Sequence, residues 1–132
     1  MSTVALETVI AAVQDIALTV TGIRDAYDSI PSKLGGGPTT IAYFETGNVD
    51  NASAGLSTEL HTIAIELIVG GSDYAQTYKL GLPLLTALLR AYEQNPTLGG
   101  TVQTYGGLGY TFDRDNLIWT IRLTNVKIQH TW

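Results

Sequence analysis

From Leu56 to Val69 the chain alternates without a break between two side-chain sets. His61, Ile63, Ile65, Leu67 and Val69 fall on one side, and Leu60, Thr62, Ala64, Glu66 and Ile68 on the other. A period of two over so long a run fits only an extended strand, because a helix would mix the two sets around its axis. The run is longer than the usual strand of five or six residues. It demands a sheet around it, and the rest of the chain must supply partners and a cover for its apolar face.

The covers are legible as two helices. Leu6, Val9, Ile10, Val13, Ile16, Ala17 and Val20 recur at helical spacing and form one apolar stripe. Ser2 or Thr3 is placed to cap it, Glu7 sits at its positive end, and Gly22 is a suitable stop. The second helix begins at Ser72 or Asp73 and buries Tyr74, Tyr78, Leu82, Leu85, Leu88, Leu89 and Tyr92. Pro83 lies inside it and predicts a kink near Lys79 to Gly81, and Asn95-Pro96 ends it.

The remaining segments read as strands and connectors. Ile23 to Pro38 is a connector, pinned by Tyr27 and Ile30 and barred from regular structure by Gly35-Gly36-Gly37-Pro38. Thr39 to Phe44 is a short buried strand. The polar stretch that follows predicts a flexible loop over residues 46–55, with Val49 its one apolar anchor. Thr101 to Tyr105 is a strand broken by Gly106-Gly107-Leu108-Gly109, and Tyr110 to Phe112 continues it. After a turn at residues 113–116 comes a long last strand, Leu117 to His130. In that strand Trp119, Ile121 and Leu123 share one face, and Arg122, Thr124, Val126 and Ile128 the other. The expectation is one α+β domain over residues 1–132, in the order α-β-β-α-β-β. Its sheet is mostly antiparallel, with both helices packed on one face.

Composition narrows the chemistry. Seven basic residues stand against twelve acidic ones, for a net charge of −5. Nucleic-acid binding needs clustered Lys and Arg, and the seven here are dispersed. Charged residues make up 14% of the chain, where about 25% is usual. Thr, Ser and Gly take their place, which fits either a threonine-rich solvent face or surface hidden in an assembly, and the second is favoured because neutral groups lose little on desolvation. There is no cysteine. No apolar run is long enough to predict a membrane span. The N-terminal stretch carries Glu7 and Asp15 and no basic leader, which predicts no signal peptide.

No catalytic constellation emerges, and the chain is expected not to be an enzyme and to need no cofactor or metal. Gly35-Gly36-Gly37 lacks the Lys-Ser or Lys-Thr of a phosphate loop, and no helix follows Gly106 to Gly109. Glu59 and His61 share a face, but two ligands do not make a metal site, and a structural histidine is the better reading. Asp25 with Asp28, and Asp113 with Asp115, sit in turn contexts.

The order of elements and several local phrases resemble the tail terminator, or tail completion, and minor tail proteins of long-tailed bacteriophages. The resemblance runs through Thr21-Gly22-Ile23, Ile30-Pro31, Pro38-Thr39-Thr40-Ile41-Ala42-Tyr43, the strand ending at Val69 and the helix from Asp73 to Tyr92. Its most specific phrase is Asn95-Pro96-Thr97-Leu98-Gly99-Gly100-Thr101-Val102. The glycine-rich Lys33 to Pro38 and the C-terminal Gln129 to Trp132 lie outside it.

The resemblance implies a structural virion protein at the head-proximal end of the tail, assembled in the host cytoplasm. Copies of it would form a homohexameric ring that caps the tail tube, ends its polymerisation and meets the head-side connector or neck proteins. DNA would pass through the lumen without specific binding, and no membrane is involved. Val49, Asp50, Asn51 and Ser53 are the candidate tail-tube docking residues, and Glu59, Glu66, Arg122 and Lys127 the candidate subunit-interface residues. Two other readings remain: a neck or head-completion protein, and a small-molecule or peptide binding module with a pocket near Tyr43, Tyr105 and Trp119.

Overall fold

The computed structural model describes residues 5–27, 38–53, 56–70 and 74–131. Its elements are α1 (Leu6–Leu18), β1 (Asp25–Tyr27), β2 (Thr39–Ser53), β3 (Leu56–Ile68), α2 (Tyr74–Glu93), β4 (Gly107–Asp113) and β5 (Ile118–Thr131). The strands form one sheet in the order β1-β2-β3-β5-β4. β1 pairs parallel to β2, and every other neighbour is antiparallel. Both helices cover the same face. This is the α+β two-layer architecture expected, with one short strand, β1, added inside the connector.

The helix stripe is where the periodicity places it: Val9, Ile10, Val13, Ile16 and Ala17 of α1 are buried. The helix starts from Ala5, which is extended and offers no side-chain cap; Ser2 and Thr3 lie outside the described residues. Gly22, at φ 101°, turns the chain toward β1. α2 continues unbroken through Pro83. Its Tyr92 is fully buried and its hydroxyl donates to the Val13 carbonyl of α1 at 3.0 Å, tying the helices together.

Gly81 sets how closely α2 approaches the sheet. A Cβ there would stand 2.1 Å from the indole nitrogen of Trp119. Glycine thus seats the buried Trp119 ring under the helix, where Phe112 and Tyr78 pack against it at 4.4 and 5.3 Å between centroids.

Three sequence expectations need correction. First, residues 46–53 are strand, not loop: β2 runs to Ser53 and pairs with β3 as far as Leu56. Residues 54 and 55 lie outside the described residues. The polar composition of this stretch signals a solvated strand rather than an irregular one, because pairing with β3 satisfies its backbone whatever its side chains prefer.

Second, residues 101–105 form turns with a single bridge, Thr104 to Lys127, while Gly107 and Gly109 lie inside β4. Leu98, Gly99 and Gly100 all have positive φ, which coils this segment over the core. A Cβ on Gly107 would stand 2.3 Å from Thr124 Oγ1, so glycine there serves close strand approach.

Third, β5 does not keep one face along its length. Trp119, Ile121 and Leu123 are buried, and so are Val126 and Ile128. The register with β3 shifts between His61 and Ile63, and Asn125 takes a φ of 53°. One extra residue in β5 thus returns Val126 and Ile128 to the core side. β2 carries a second shift at Glu45, between Phe44 and Thr46. Both shifts lie opposite Thr62, so β3 stays regular while its two neighbours bend together.

Candidate functional site: two lateral edges and the open face between them

β1 pairs with β2 only at Thr39 to Ile41. From Ala42 to Ser53 no strand among the described residues lies on the far side of β2. β4 closes the other end of the sheet and pairs only with β5. Among the described residues the sheet therefore ends laterally in two different strand edges.

Apolar surface gathers at both ends. Beside β2, a depression of about 340 Å³ is lined by Leu6, Glu7, Ile10, Ala11, Tyr43 and Phe44, among others. Beside β4, a depression of about 300 Å³ on the helix side and one of about 400 Å³ on the other side share Leu108, Gly109 and Tyr110. Tyr110 is 54% exposed and Val49 60%. All three depressions are open and shallow. The sequence signal for the β4 edge was the uncharged run Gly106 to Phe112 with its aromatic ring; read as a glycine break, it concealed an edge strand.

The helix-free sheet face carries a polar network, with Leu60 exposed beside it. Tyr43 donates to Glu66 Oε2 at 2.7 Å. That bond, then burial and the nearby carboxylates, pushes the Tyr43 phenol up to about 12. Arg122 grips Glu45 with two bonds of 3.0 and 3.1 Å, and its third nitrogen reaches Thr111 Oγ1 at 3.3 Å. The same guanidinium holds Glu45 below the usual carboxylate range, opposite to what a general acid needs. Ala64 pairs with Tyr43 on one side and Arg122 on the other and is wholly buried between them.

The predicted interface residues do not share one surface. Glu66 and Arg122 lie on the helix-free face. Glu59 lies on the other, where its Oε1 meets His61 Nε2 at 2.7 Å. His61 is buried against the Phe44 ring, in room left by Gly47, whose Cβ would stand 2.2 Å from Nδ1. It is the structural histidine expected. Lys127 pairs opposite Leu60, and its backbone bonds Gln103 and Thr104. Each of Glu59, Glu66 and Arg122 has a partner within the chain.

The docking candidates Val49, Asp50 and Ser53 pair with Glu59, Thr58 and Leu56, and Asn51 falls at the irregularity between Asp50 and Ser53. They stand on a paired arm rather than a free loop. Tyr43, Tyr105 and Trp119 do not line one pocket: Tyr43 is on the helix-free face, Trp119 is in the core, and the Tyr105 hydroxyl donates to the Tyr92 carbonyl. Among the described residues no three His, Cys, Asp or Glu side chains gather to hold a metal. No described helix is long and apolar enough to cross a membrane.

No protein-family model matches the chain, and no curated protein matches it.

Proposed function

We propose that this chain is a structural virion protein that works as a ring of copies capping a bacteriophage tail tube, where it stops tube growth and presents a surface to the head side. The observation that carries the reading is where the exposed apolar residues lie. Exposed Leu6 and Tyr110 stand at the two lateral ends of the sheet, beside open depressions, while Leu60 on β3 and Tyr78 and Leu80 on α2 add further exposed apolar surface. An enclosed, mostly apolar cavity is what a small-molecule site needs. Lateral apolar ends are what a ring subunit needs, since each copy must meet two neighbours through two different surfaces.

Three further features support it. The low charge content reduces the desolvation cost at such contacts. The arm formed by residues 46–53 of β2 and the start of β3 offers exposed Thr46, Asn48 and Val49 to an axial partner such as the tube. A net charge of −5 lets DNA pass without adhering.

The test is sedimentation and negative-stain electron microscopy of the purified chain, alone and mixed with the tube protein of the same genome. Rings with a central hole, seated at tube ends, are the expected result. A chain that stays monomeric in both conditions ends the proposal.

A further inference from the structure

Resting on that ring reading, we infer that neighbouring copies join by strand pairing, the β4 edge of one copy adding to the free β2 edge of the next to make one sheet that continues from subunit to subunit.

An open strand edge is a row of backbone donors and acceptors that only another extended chain satisfies along its length. Soluble proteins guard such edges with Lys, Pro or inward charges. β4 has no charged residue and no Pro from Gly107 to Phe112; the free part of β2 has no Lys and no Pro, and of its two charges, Glu45 and Asp50, Glu45 is held by Arg122. Beyond the bulge at Glu45, residues 46–50 of β2 pair with β3 in unbroken register, so their far side is a regular template.

The occupant is a second copy because the two ends of one molecule fit each other in polarity, surface and charge. β2, β3, β5 and β4 alternate in direction, so β2 and β4 run oppositely. A copy placed alongside by rotation about an axis parallel to the strands brings its β2 antiparallel to the first copy's β4. That is the better bonded of the two strand geometries. The same operation keeps all helices on one face and sets α2 of the first copy beside α1 of the second.

The apolar rims then meet: Leu108 and Tyr110 face Leu6, Ile10 and Ala11. α1 carries Glu7 and Asp15 and no cation, whereas α2 carries Lys79 and Arg90 against Glu93. Arg90 is paired with Glu93 at 2.7 Å, so α2 keeps one net positive charge against the two negative charges of α1, whereas an α1-to-α1 contact would set like charges together. Because the two edges differ, the contact is head-to-tail, which closes into a ring when the rotation divides the circle.

The absence of native cysteine gives a clean test. Thr111 on β4 and Thr46 and Asn48 on β2 all lie on the helix-free face. A Thr111→Cys preparation is mixed with Thr46→Cys or Asn48→Cys, oxidised and compared with each preparation alone. Disulfide-linked dimers at least tenfold more abundant in one of the mixtures are expected. Equal yield from the unmixed preparations shows a symmetric contact and overturns the inference. Rings seen by microscopy without linkage in either mixture overturn edge pairing and leave the ring reading standing. A wild-type chain that stays monomeric with the tube protein present removes both.

A second measurement guards against a misplaced register. Thr111→Lys puts a charge on the edge, and Thr120→Lys puts one on an inner strand of the same face, opposite Glu66. The first should weaken association at least tenfold and the second should not; equal effects overturn the inference. Circular dichroism confirms that both variants fold.

Discussion

Gly81 shows how much one missing methyl group decides. It lies within α2, where glycine costs helix stability relative to alanine. Only a hydrogen there lets the helix pass over the Trp119 indole. Gly81→Ala should therefore destabilise the protein by about 1–3 kcal/mol, because overpacking outweighs the gain in helix propensity. Urea denaturation with an unchanged slope checks it.

Tyr43 offers a second residue-scale measurement. Its phenol rises from an ordinary 10.0 to about 12, first through the bond to Glu66. A raised value means that the folded chain holds the proton more tightly. The stabilisation is complete below pH 10.0, falls between 10.0 and about 12, and is gone above. Ultraviolet titration should find one tyrosine, absent from Tyr43→Phe, ionising near 12, and Glu66→Ala should bring it down toward 10.0.

At the scale of elements, the paired bulges opposite Thr62 are the main device. They let a regular β3 serve two neighbours that bend, and the one in β5 returns Val126 and Ile128 to the core. Asn125, at φ 53°, holds the bulge in β5. Asparagine accepts this left-handed backbone, whereas a β-branched residue resists it. Asn125→Val should cost about 1–2 kcal/mol. Asn125→Gly should remain close to wild type. Thermal unfolding distinguishes the two, and hydrogen exchange in the Asn125→Val variant should quicken first in β5 beyond residue 125.

For the whole molecule, backbone pairing and apolar rims hold the proposed ring, and the charges on α1 and α2 guide approach. Salt screens exposed charges over about 10 Å at 0.1 M. Raising salt should therefore slow assembly while leaving the amount of ring at equilibrium within about tenfold. Sedimentation velocity for the equilibrium and light scattering for the rate test this. Rings that dissolve in high salt would shift the weight to ion pairs.

The α1 stripe, the uninterrupted β3 and the α+β class followed from the chain alone, because side-chain periodicity is a local property of the backbone that carries it. The strand nature of residues 46–53, the face change at Asn125 and the status of β4 as an edge did not. Pairing decides these, and pairing joins residues far apart in the chain: Glu45 is gripped by Arg122, and His61 occupies the room left by Gly47. Which charges remain available is also decided at that level. Glu59, Glu66 and Arg122 read as surface charges along the sequence, but folding commits each to a neighbour within the chain.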